Sequence, residues 1–378
     1  QEIQDLTVRL GHRVVYDIAE VTPVTPTALA ATIILGAPGR GISAARFHTE
    51  VGFAMHVLLD PSNHARVSAP LTEALEKPQI KPLVEDIRSA KRRANRLDDD
   101  RHTHDQRLGE SLKEVLAQAL KLLEQNDLIK TRKVDGQEFY EANEATRSEL
   151  NYYKNNIIHF FVDEALLATA LLVNPEDQHV SLDTLKERSL FLSRLFKYEF
   201  FYQERSKDDE ERSQFEAAFE GVLDYLCGCG WIERQPGQIA IHPTGRTAME
   251  FFRGLMLPYI DPYLYITQKL QKLPSRKDGF DAKDMVKTWL RQARSDAIQG
   301  ELTNADAVNK QTLENVLRYL VERKALTIES VPGRRGRVNK IYRMTPQPDG
   351  QETHPLDDLH QRIETFAGTI RRKPSEHL

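Results

Sequence analysis

Two histidine–aspartate pairs have spacings that suit acid–base chemistry. His12 and Asp17, in the segment HRVVYD, are spaced like a catalytic pair in which an aspartate orients the imidazole that deprotonates a hydroxyl group. On a regular helix, however, five residues correspond to roughly 500° of rotation, which puts the two side chains on different faces. His159 and Asp163 are one helical turn apart and close enough to touch. We expect His159 to be a packed core histidine, and His12 and Asp17 are catalytic candidates by their spacing alone.

A glycine-rich segment, GAPGRGIS, suggests a site for a phosphate group. Its glycines are Gly36, Gly39 and Gly41. Backbone amides of such a segment bind phosphate when a strand precedes it and a helix follows. No strand is predicted before this segment. We therefore expect it to connect two helices.

The strongest local charge lies in the basic segment VPGRRGRVNK. The basic side chains are those of Arg334, Arg335, Arg337 and Lys340. At a hairpin tip they would lie along a nucleic-acid backbone, contact anionic lipid headgroups or be solvated. The preceding segment, TLENVLRYLVERKAL, is mostly apolar and acidic, which disfavours nucleic acid. An anionic surface is the candidate contact.

The two cysteines do not form a metal site or a disulfide framework. Cys227 and Cys229 are separated by one glycine, and the chain has no second pair to complete four zinc ligands. We interpret them as small residues at a buried helix end in reducing surroundings. The sequence predicts no metal and no cofactor.

The composition is that of a globular protein. The 378 residues are 40% hydrophobic and 29% charged, and this length favours two or three domains. The net charge of -4 gives no global attraction to nucleic acid or lipid. No run approaches the roughly 18 apolar residues that a membrane span requires, so we expect no transmembrane helix. Because the chain begins with Gln1, we interpret it as processed or as a fragment of a longer polypeptide.

Helical periodicity dominates the first hundred residues. Thr25 as an N-cap, followed by Pro26, predicts a helix that ends at Gly36. A second helix is predicted to begin at Ser43. The charged segment 78–104 is interpreted as a solvated helix end and a linker.

Three longer helices are predicted farther along the chain. They cover residues 144–173, 181–203 and 244–273. Pro258 and Pro262 are expected to bend or break the third, because proline lacks the amide hydrogen and clashes with the preceding turn.

One local pattern occurs three times: an amphipathic helix followed by a β-hairpin. The turns are Asp-Gly, Pro-Gly and the basic segment. Winged-helix modules are built in this way. We predict a mainly α, multi-helical fold with short β-hairpins forming winged-helix-like units. The predicted divisions are a helical domain ending in a hairpin at 1–143, a helical domain at 144–273 with a hairpin near 231–242, a helix–hairpin unit at 274–346, and a polar tail at 347–378 in which 356–371 could form one more helix.

Two segments carry a resemblance to a known family. ELNYYKNNIIHFFVDEALLATALL resembles the segment that follows the catalytic domain in bacterial and mitochondrial glycerol-3-phosphate acyltransferases. VTPVTPTALAATIILGAPGRGIS is similar to another part of that family, a Thr-Pro helix followed by an Arg-Gly-Ile turn. The two segments occur in the family's order, and LFKYEFF and the helix at 244–273 also fit its C-terminal region. The resemblance covers most of residues 1–320.

The resemblance implies the C-terminal, non-catalytic portion of an enzyme of phospholipid biosynthesis. The family's histidine–aspartate box, its Gly-rich glycerol-phosphate motif and its Pro-Glu-Gly segment lie upstream, and no segment here matches them. The implied reaction esterifies the 1-hydroxyl of glycerol 3-phosphate from acyl-CoA or acyl-carrier protein. The implied partners are the upstream catalytic domain and the cytoplasmic side of the cell membrane, bound peripherally.

Other functions stay open at this stage. The aromatic segment FFRGLMLPYIDPYLYI would either lie at lipid headgroup level or pack in a core. A winged-helix nucleic-acid-binding or regulatory protein is the alternative from a different class. The third alternative is a protein-interaction scaffold that has kept the family's fold without its activity.

Overall fold

The structure is a computed structural model. It describes residues 10–11, 14, 17–18, 21–37, 39, 41–88, 100–174, 179–200, 208–273, 279–299, 302, 307–332, 338–347 and 353–367. The α-helices are α1 Pro26–Gly36, α2 Ala44–Leu59, α3 Ala69–Leu75, α4 Lys81–Arg88, α5 Asp100–Ser111, α6 Lys113–Gln125, α7 Arg147–Asn155, α8 Val162–Leu171, α9 Leu182–Leu195, α10 Asp208–Gly228, α11 Arg246–Gln271, α12 Ala282–Ile298, α13 Lys310–Glu322 and α14 Pro355–Ala367. Short 3₁₀ turns cover Ile158–Phe161 and Pro243–Gly245.

Three small antiparallel sheets accompany these helices, so the prediction of a mainly α fold with short hairpins is confirmed. The strands are β1 Gly41–Ser43, β2 Ile129–Val134, β3 Gln137–Ala142, β4 His179–Ser181, β5 Ile232–Gln235, β6 Gln238–Ile241, β7 Phe280–Asp281, β8 Leu326–Pro332 and β9 Val338–Met344. The sheet orders are β1-β3-β2, β4-β6-β5 and β7-β9-β8. Each sheet therefore combines a hairpin with one strand from earlier in the chain, which pairs with the second hairpin strand.

The tight turns of the first two hairpins follow from their residues. In the first, Asp135 and Gly136 have φ of 50° and 81°, as a type I′ turn requires at both central positions. Val134 pairs with Gln137 across it. In the second, Gly237 has φ of 71°, a conformation that glycine adopts without a side-chain clash.

The chain divides into two compact units. The first comprises Gln1–Leu172, Glu176–Arg194 and Phe200–Met256, and the second comprises Val173–Pro175, Leu195–Glu199 and Leu257–Leu378. The divisions predicted near residues 143, 273 and 346 stay a prediction.

Helix α1 lies in the core of the first unit. The Thr25 hydroxyl accepts a hydrogen bond from the Ala28 amide at 3.2 Å, and Pro26 begins the helix, so the predicted helix start is confirmed. Every residue from Ala28 to Gly36 is buried. Because this helix has no polar face, it must be covered on all sides, and α2, α6 and α7 pack against it.

The predicted helix at 144–173 is wrong as one continuous element. α7 ends at Asn155, a 3₁₀ turn covers Ile158–Phe161, and α8 begins at Val162. Asparagine side chains compete with the backbone for hydrogen bonds, and the β-branched Ile157 and Ile158 follow directly. The apolar run is therefore divided into two helices.

Pro258 and Pro262 do not break the helix predicted at 244–273, which leaves a bend as the remaining predicted effect of the two prolines. α11 is helical from Arg246 to Gln271 and includes Pro258 and Pro262. Each proline removes one helical hydrogen bond, at a cost of about 3 kcal/mol in an isolated helix. The helix buries most of its apolar side chains completely, including Phe251, Leu255, Ile260, Leu264 and Ile266. This burial offsets the lost hydrogen bonds.

The second unit contains a buried ion pair and a docked C-terminal helix. Tyr265 donates a hydrogen bond to Asp296 at 2.6 Å, and Lys269 lies 2.9 Å from the same carboxylate. α14 buries Leu356, Leu359, Ile363 and Phe366. The segment predicted to be a polar tail therefore contains a packed helix.

Two glycines lie at a close approach between two helices of the first unit. A Cβ atom on Gly254 would lie 2.0 Å from the carbonyl oxygen of Gly36, and a Cβ atom on Gly36 would lie 2.7 Å from Leu255 Cδ2. The backbone of Gly36 therefore leaves no room for a side chain at position 254, whereas at position 36 the obstacle is the end of the Leu255 side chain.

Gly254→Ala should destabilise the protein by about 2 kcal/mol or more, because the two helix backbones must separate to admit a methyl group. Urea denaturation measures the change in the free energy of unfolding. Gly221→Ala is the matched control, since Gly221 lies in α10 with nothing within 4 Å of an added Cβ, and alanine there should stabilise the helix by up to about 1 kcal/mol. Equal effects of the two substitutions would contradict this account of the crossing.

Candidate functional site

The two segments that carry the family resemblance pack against each other in the first unit. α1 comes from the Thr-Pro segment and α7 from the Tyr-Tyr-Asn-Asn segment, and the two helices are in contact. Leu150 of α7 is fully buried, whereas Tyr152 on the opposite face is 67% exposed. The contact between the two segments is therefore an internal wall of the unit.

Lys154 is a charged residue enclosed within this wall. Its side chain is only 3% exposed. Burial, with a smaller contribution from the charge of Arg147, lowers the pKa of Lys154 to about 7. The neutral amine is therefore well populated near neutral pH, unlike that of a solvated lysine.

An ion pair with a buried carboxylate follows the Arg-Gly-Ile segment. The Ser43 hydroxyl accepts the Arg46 amide at 3.3 Å and caps α2, which confirms the predicted helix start. Arg46 Nε donates to Glu50 Oε1 at 2.6 Å, and the Glu50 side chain has no solvent exposure. Burial raises the pKa of Glu50 to about 7, against the opposing effect of Arg46. In the described part of the chain, Glu50 Oε2 and Arg46 Nη2 have no hydrogen-bond partner.

A buried polar cluster joins three other elements of the first unit. We define it by His56, Glu164, Tyr225 and Cys229. His56 Nδ1 lies 3.0 Å from the Tyr225 hydroxyl and 3.5 Å from Cys229 Sγ. Burial raises the pKa of Glu164 to about 8, and it raises the pKa of Tyr225 well above its usual value with smaller contributions from Cys229 and Glu164. Burial in this cluster therefore favours the neutral forms of Glu164 and Tyr225.

Sequence reasoning singled out only the cysteines of this region. Cys227 ends the last turn of α10 in a half-buried position, and Cys229 follows it and is buried. This is the buried helix end that the sequence predicted. Glu164 and Tyr225 were not identified, since their partners come from distant parts of the chain.

The predicted histidine–aspartate sites have different outcomes. His12 lies outside the described residues, while Asp17 is helical and exposed. His159 lies in the 3₁₀ turn, where its ring packs against that of Phe160 with 4.0 Å between centroids and a tilt of 43°, and Asp163 lies in the first turn of the next helix. The assignment of chemistry to these residues stays a prediction.

The structure describes some of the residues that were predicted to bind anions. Gly36 ends α1 against Gly254, and Gly41 begins β1, where it pairs with Glu141. Arg334, Arg335 and Arg337 lie outside the described residues. Lys340 is exposed and lies in β9.

Four of the five aromatic side chains of α11 lie in the core, and the fifth, Tyr259, is half-buried. Phe251, Phe252, Tyr263 and Tyr265 are each at most 1% exposed. Core packing, one of the two predicted settings of this segment, therefore holds for these four rings. Among the described residues, no helix has both the length and the hydropathy needed to cross a bilayer.

Comparison with known families agrees with the two packed segments. The model of the glycerol-3-phosphate acyltransferase C-terminal region matches residues 1–102 and 81–329. The chain belongs to this family. No curated protein sequence matches the chain at a significant level. The matched residues include every described helix except α14, and they include the buried cluster.

Glu164→Gln should make the stability of this acyltransferase-family chain less dependent on pH. Glu164 has a raised pKa in the folded state, so the folded state keeps a proton that the unfolded state releases above its ordinary value of 4.5. This contribution to stability is complete below pH 4.5 and is lost as the pH rises through about 8. Glutamine has no such proton, so the stability of the variant relative to the parent should increase between about pH 5 and about pH 8.

Urea denaturation at both pH values measures this difference. Glu73→Gln is the control, because it makes the same chemical change at a residue that is exposed on α3. A Glu164→Gln difference that changes with pH no more than that of Glu73→Gln would contradict the burial effect.

Proposed function

We propose that this chain is the non-catalytic C-terminal portion of a glycerol-3-phosphate 1-O-acyltransferase of phospholipid biosynthesis. The complete enzyme transfers an acyl chain from acyl-CoA or acyl-carrier protein to the 1-hydroxyl of glycerol 3-phosphate. The family match over residues 1–329 carries the proposal. The packing of α1 against α7 supports a structural role for the segments that carry the resemblance, since α1 is buried from Ala28 to Gly36 and α7 buries Leu150.

The partner we propose is a catalytic acyltransferase domain in the same polypeptide. Four exposed apolar side chains near the N-terminus support this. Leu10, Val14, Ile18 and Val21 are 63%, 48%, 57% and 54% exposed, and their spacing of four, four and three residues puts them on one face of a helix. An apolar stripe of this kind is typical of a surface that another protein element covers.

We propose that membrane contact, where it occurs, is peripheral and on the cytoplasmic side. Four of the five aromatic rings of α11 cannot provide it, because they are buried. The basic segment from Arg334 to Lys340 is the candidate, since each lysine or arginine near an anionic surface contributes about 1 kcal/mol.

We also propose that the three helix–hairpin units are winged-helix-like. Each sheet has the same order, in which an early strand pairs with the second strand of the hairpin. Nucleic-acid recognition is not favoured, because the helices that precede the hairpins carry acidic side chains such as Glu114, Glu220 and Glu314. The division at 1–143, 144–273 and 274–346 gives one such unit to each segment.

The reading frame upstream of Gln1 should continue into a domain with a histidine-x4-aspartate box.

In the complete polypeptide, Leu10→Ser with Ile18→Ser should weaken the association with that domain more than about tenfold, because two apolar side chains lose a covered environment. Acyl transfer to glycerol 3-phosphate and proteolytic release of the two parts measure this effect.

Ile298→Ser is the matched control for the stripe. Ile298 is 89% exposed on α12 and stands apart from the stripe in sequence, so its substitution should leave the association unchanged. An unrelated upstream domain, or equal effects of both variants, would contradict the proposed partner.

Alanine substitution of Arg334, Arg335, Arg337 and Lys340 together should reduce binding of the protein to anionic vesicles, because four positive charges near the headgroups are removed. Vesicle co-sedimentation measures the bound fraction, with neutral phosphatidylcholine vesicles as the control. Unchanged binding to the anionic vesicles would rule out the basic segment as the membrane contact.

A further inference from the structure

One short segment of the second unit lies in sequence between two stretches of the first. Residues Leu195–Glu199 belong to the second unit, whereas Glu176–Arg194 and Phe200–Met256 belong to the first. We call Leu195–Glu199 the crossing segment. We propose that Glu199 is a protonation switch for this segment. The segment stays bound to α11 and α13 while the Glu199 carboxyl group carries a proton, and it is released when that group is ionised.

The first residues of the crossing segment are held by apolar packing. Leu195 and Phe196 are fully buried. The Phe196 ring meets the Tyr263 ring edge to face, with 5.6 Å between centroids, and its centroid lies 6.4 Å from that of Tyr259. Such aromatic pairs contribute about 0.5–1.5 kcal/mol beyond the burial of their area. Neither Leu195 nor Phe196 can ionise, so this contribution to binding does not respond to pH.

The middle of the crossing segment contacts α13. Tyr198 donates a hydrogen bond to Glu322 at 2.6 Å, and Lys197 forms an ion pair with the same carboxylate. The Arg318 guanidinium lies 4.0 Å from the centre of the Tyr198 ring, and the Asn315 side chain donates to the Tyr198 carbonyl oxygen at 2.9 Å. The Lys197 and Glu322 side chains are 36% and 40% exposed. Their ion pair therefore contributes at most about 1 kcal/mol.

The last residue of the crossing segment presents its carboxyl group to a phenol and an amide. The Tyr263 hydroxyl donates to Glu199 Oε1 at 3.1 Å, and the Asn315 side chain also forms a hydrogen bond with this carboxyl group. Burial raises the pKa of Glu199 to about 7, against the opposing effect of these two hydrogen bonds. Among the described residues, no charged side chain contributes to this shift. Glu199 therefore keeps its proton because ionisation in this setting would bury a charge without an ion-pair partner.

The other ionisable groups around Glu199 keep their charge states near neutral pH. Burial raises the pKa of Tyr259 and that of Tyr263, with smaller contributions from Glu199, and burial raises the pKa of Tyr198 to about 12. Lysine and arginine side chains are ordinarily cationic at this pH. Glu199 is therefore the member of this set whose charge changes near neutrality. The set comprises Lys197 and Tyr198 of the crossing segment, Tyr259 and Tyr263 of α11, and Arg318, Tyr319 and Glu322 of α13.

The direction of the pH effect follows from the two settings of the carboxyl group. In the released segment Glu199 is solvated and has its ordinary pKa of 4.5, whereas the bound segment raises this pKa to about 7. The contribution of the proton to binding is therefore complete below pH 4.5 and is lost as the pH rises through about 7. The crossing segment should open more often above neutral pH, while the apolar packing and the α13 contacts limit how far it opens.

Hydrogen exchange of the complete chain between about pH 5 and about pH 8 tests the proposal. The Glu199 amide donates to the Phe196 carbonyl at 2.9 Å, so the protection of the crossing segment reports its local opening. After division by the intrinsic exchange rate at each pH, protection should fall by about tenfold or more across this range, because each unit of pKa difference is a factor of ten. Amides of α14, in the same unit, are the internal reference and should change less.

Three variants separate the switch from a general effect on folding. Glu199→Gln keeps the shape of the side chain but cannot ionise, so protection of the crossing segment should no longer depend on pH. Glu314→Gln makes the same chemical change at an exposed position of α13 and should retain the pH dependence of the parent. Tyr263→Phe removes a hydrogen bond that favours the ionised carboxyl group. The pH at which protection stops falling, about 7 in the parent, should therefore rise in this variant.

These results together support the switch, and each has an outcome that overturns it. Constant protection in the parent, pH dependence that persists in Glu199→Gln, or pH dependence that is lost in Glu314→Gln would contradict the role of Glu199. An equal loss of protection in α14 would show global unfolding and not local release. An unchanged profile in Tyr263→Phe would show that the Glu199 carboxyl group is not the one that titrates.

Discussion

The first unit depends on covering a helix that has no polar face. α1 buries every residue from Ala28 to Gly36, and an exposed helix of this composition would place a large apolar surface in water. Burying one such side chain contributes about 1.5–3 kcal/mol, so neighbouring helices are strongly favoured on every side. The close contact of Gly36 with Gly254 follows from this requirement, because a helix enclosed on all sides must approach at least one neighbour closely.

The same enclosure explains the unusual ionisation of the interior. Lys154, Glu50 and Glu164 are buried in the first unit with pKa values moved towards their neutral forms. Transfer of a charge from water into a protein interior is costly unless a partner compensates for it. Glu50 has Arg46 as such a partner, and its pKa is still raised to about 7. The interior therefore couples the stability of the fold to pH in the neutral range.

The hairpins are specified more locally than the helical core. The Asp-Gly and Pro-Gly turns fix the register of the first two hairpins within a few residues. Each sheet is completed by a short strand that lies more than fifty residues earlier in the chain. The same strand arrangement therefore occurs in all three sheets. In each of them a remote strand covers one edge of the hairpin.

The sequence alone determined the features that depend on neighbouring residues. Thr25 and Ser43 mark helix starts because their hydroxyls cap amides three residues away, and Asp135 with Gly136 specifies a turn through its backbone angles. The family followed from two contiguous segments for the same reason. Tertiary structure decided what depends on distant partners. Pro258 and Pro262 stay within a helix because surrounding burial outweighs their local cost, and four aromatic rings of α11 are core residues because other elements cover them. Glu164 and Tyr225 were not predicted, since their surroundings are assembled from residues far apart in the chain.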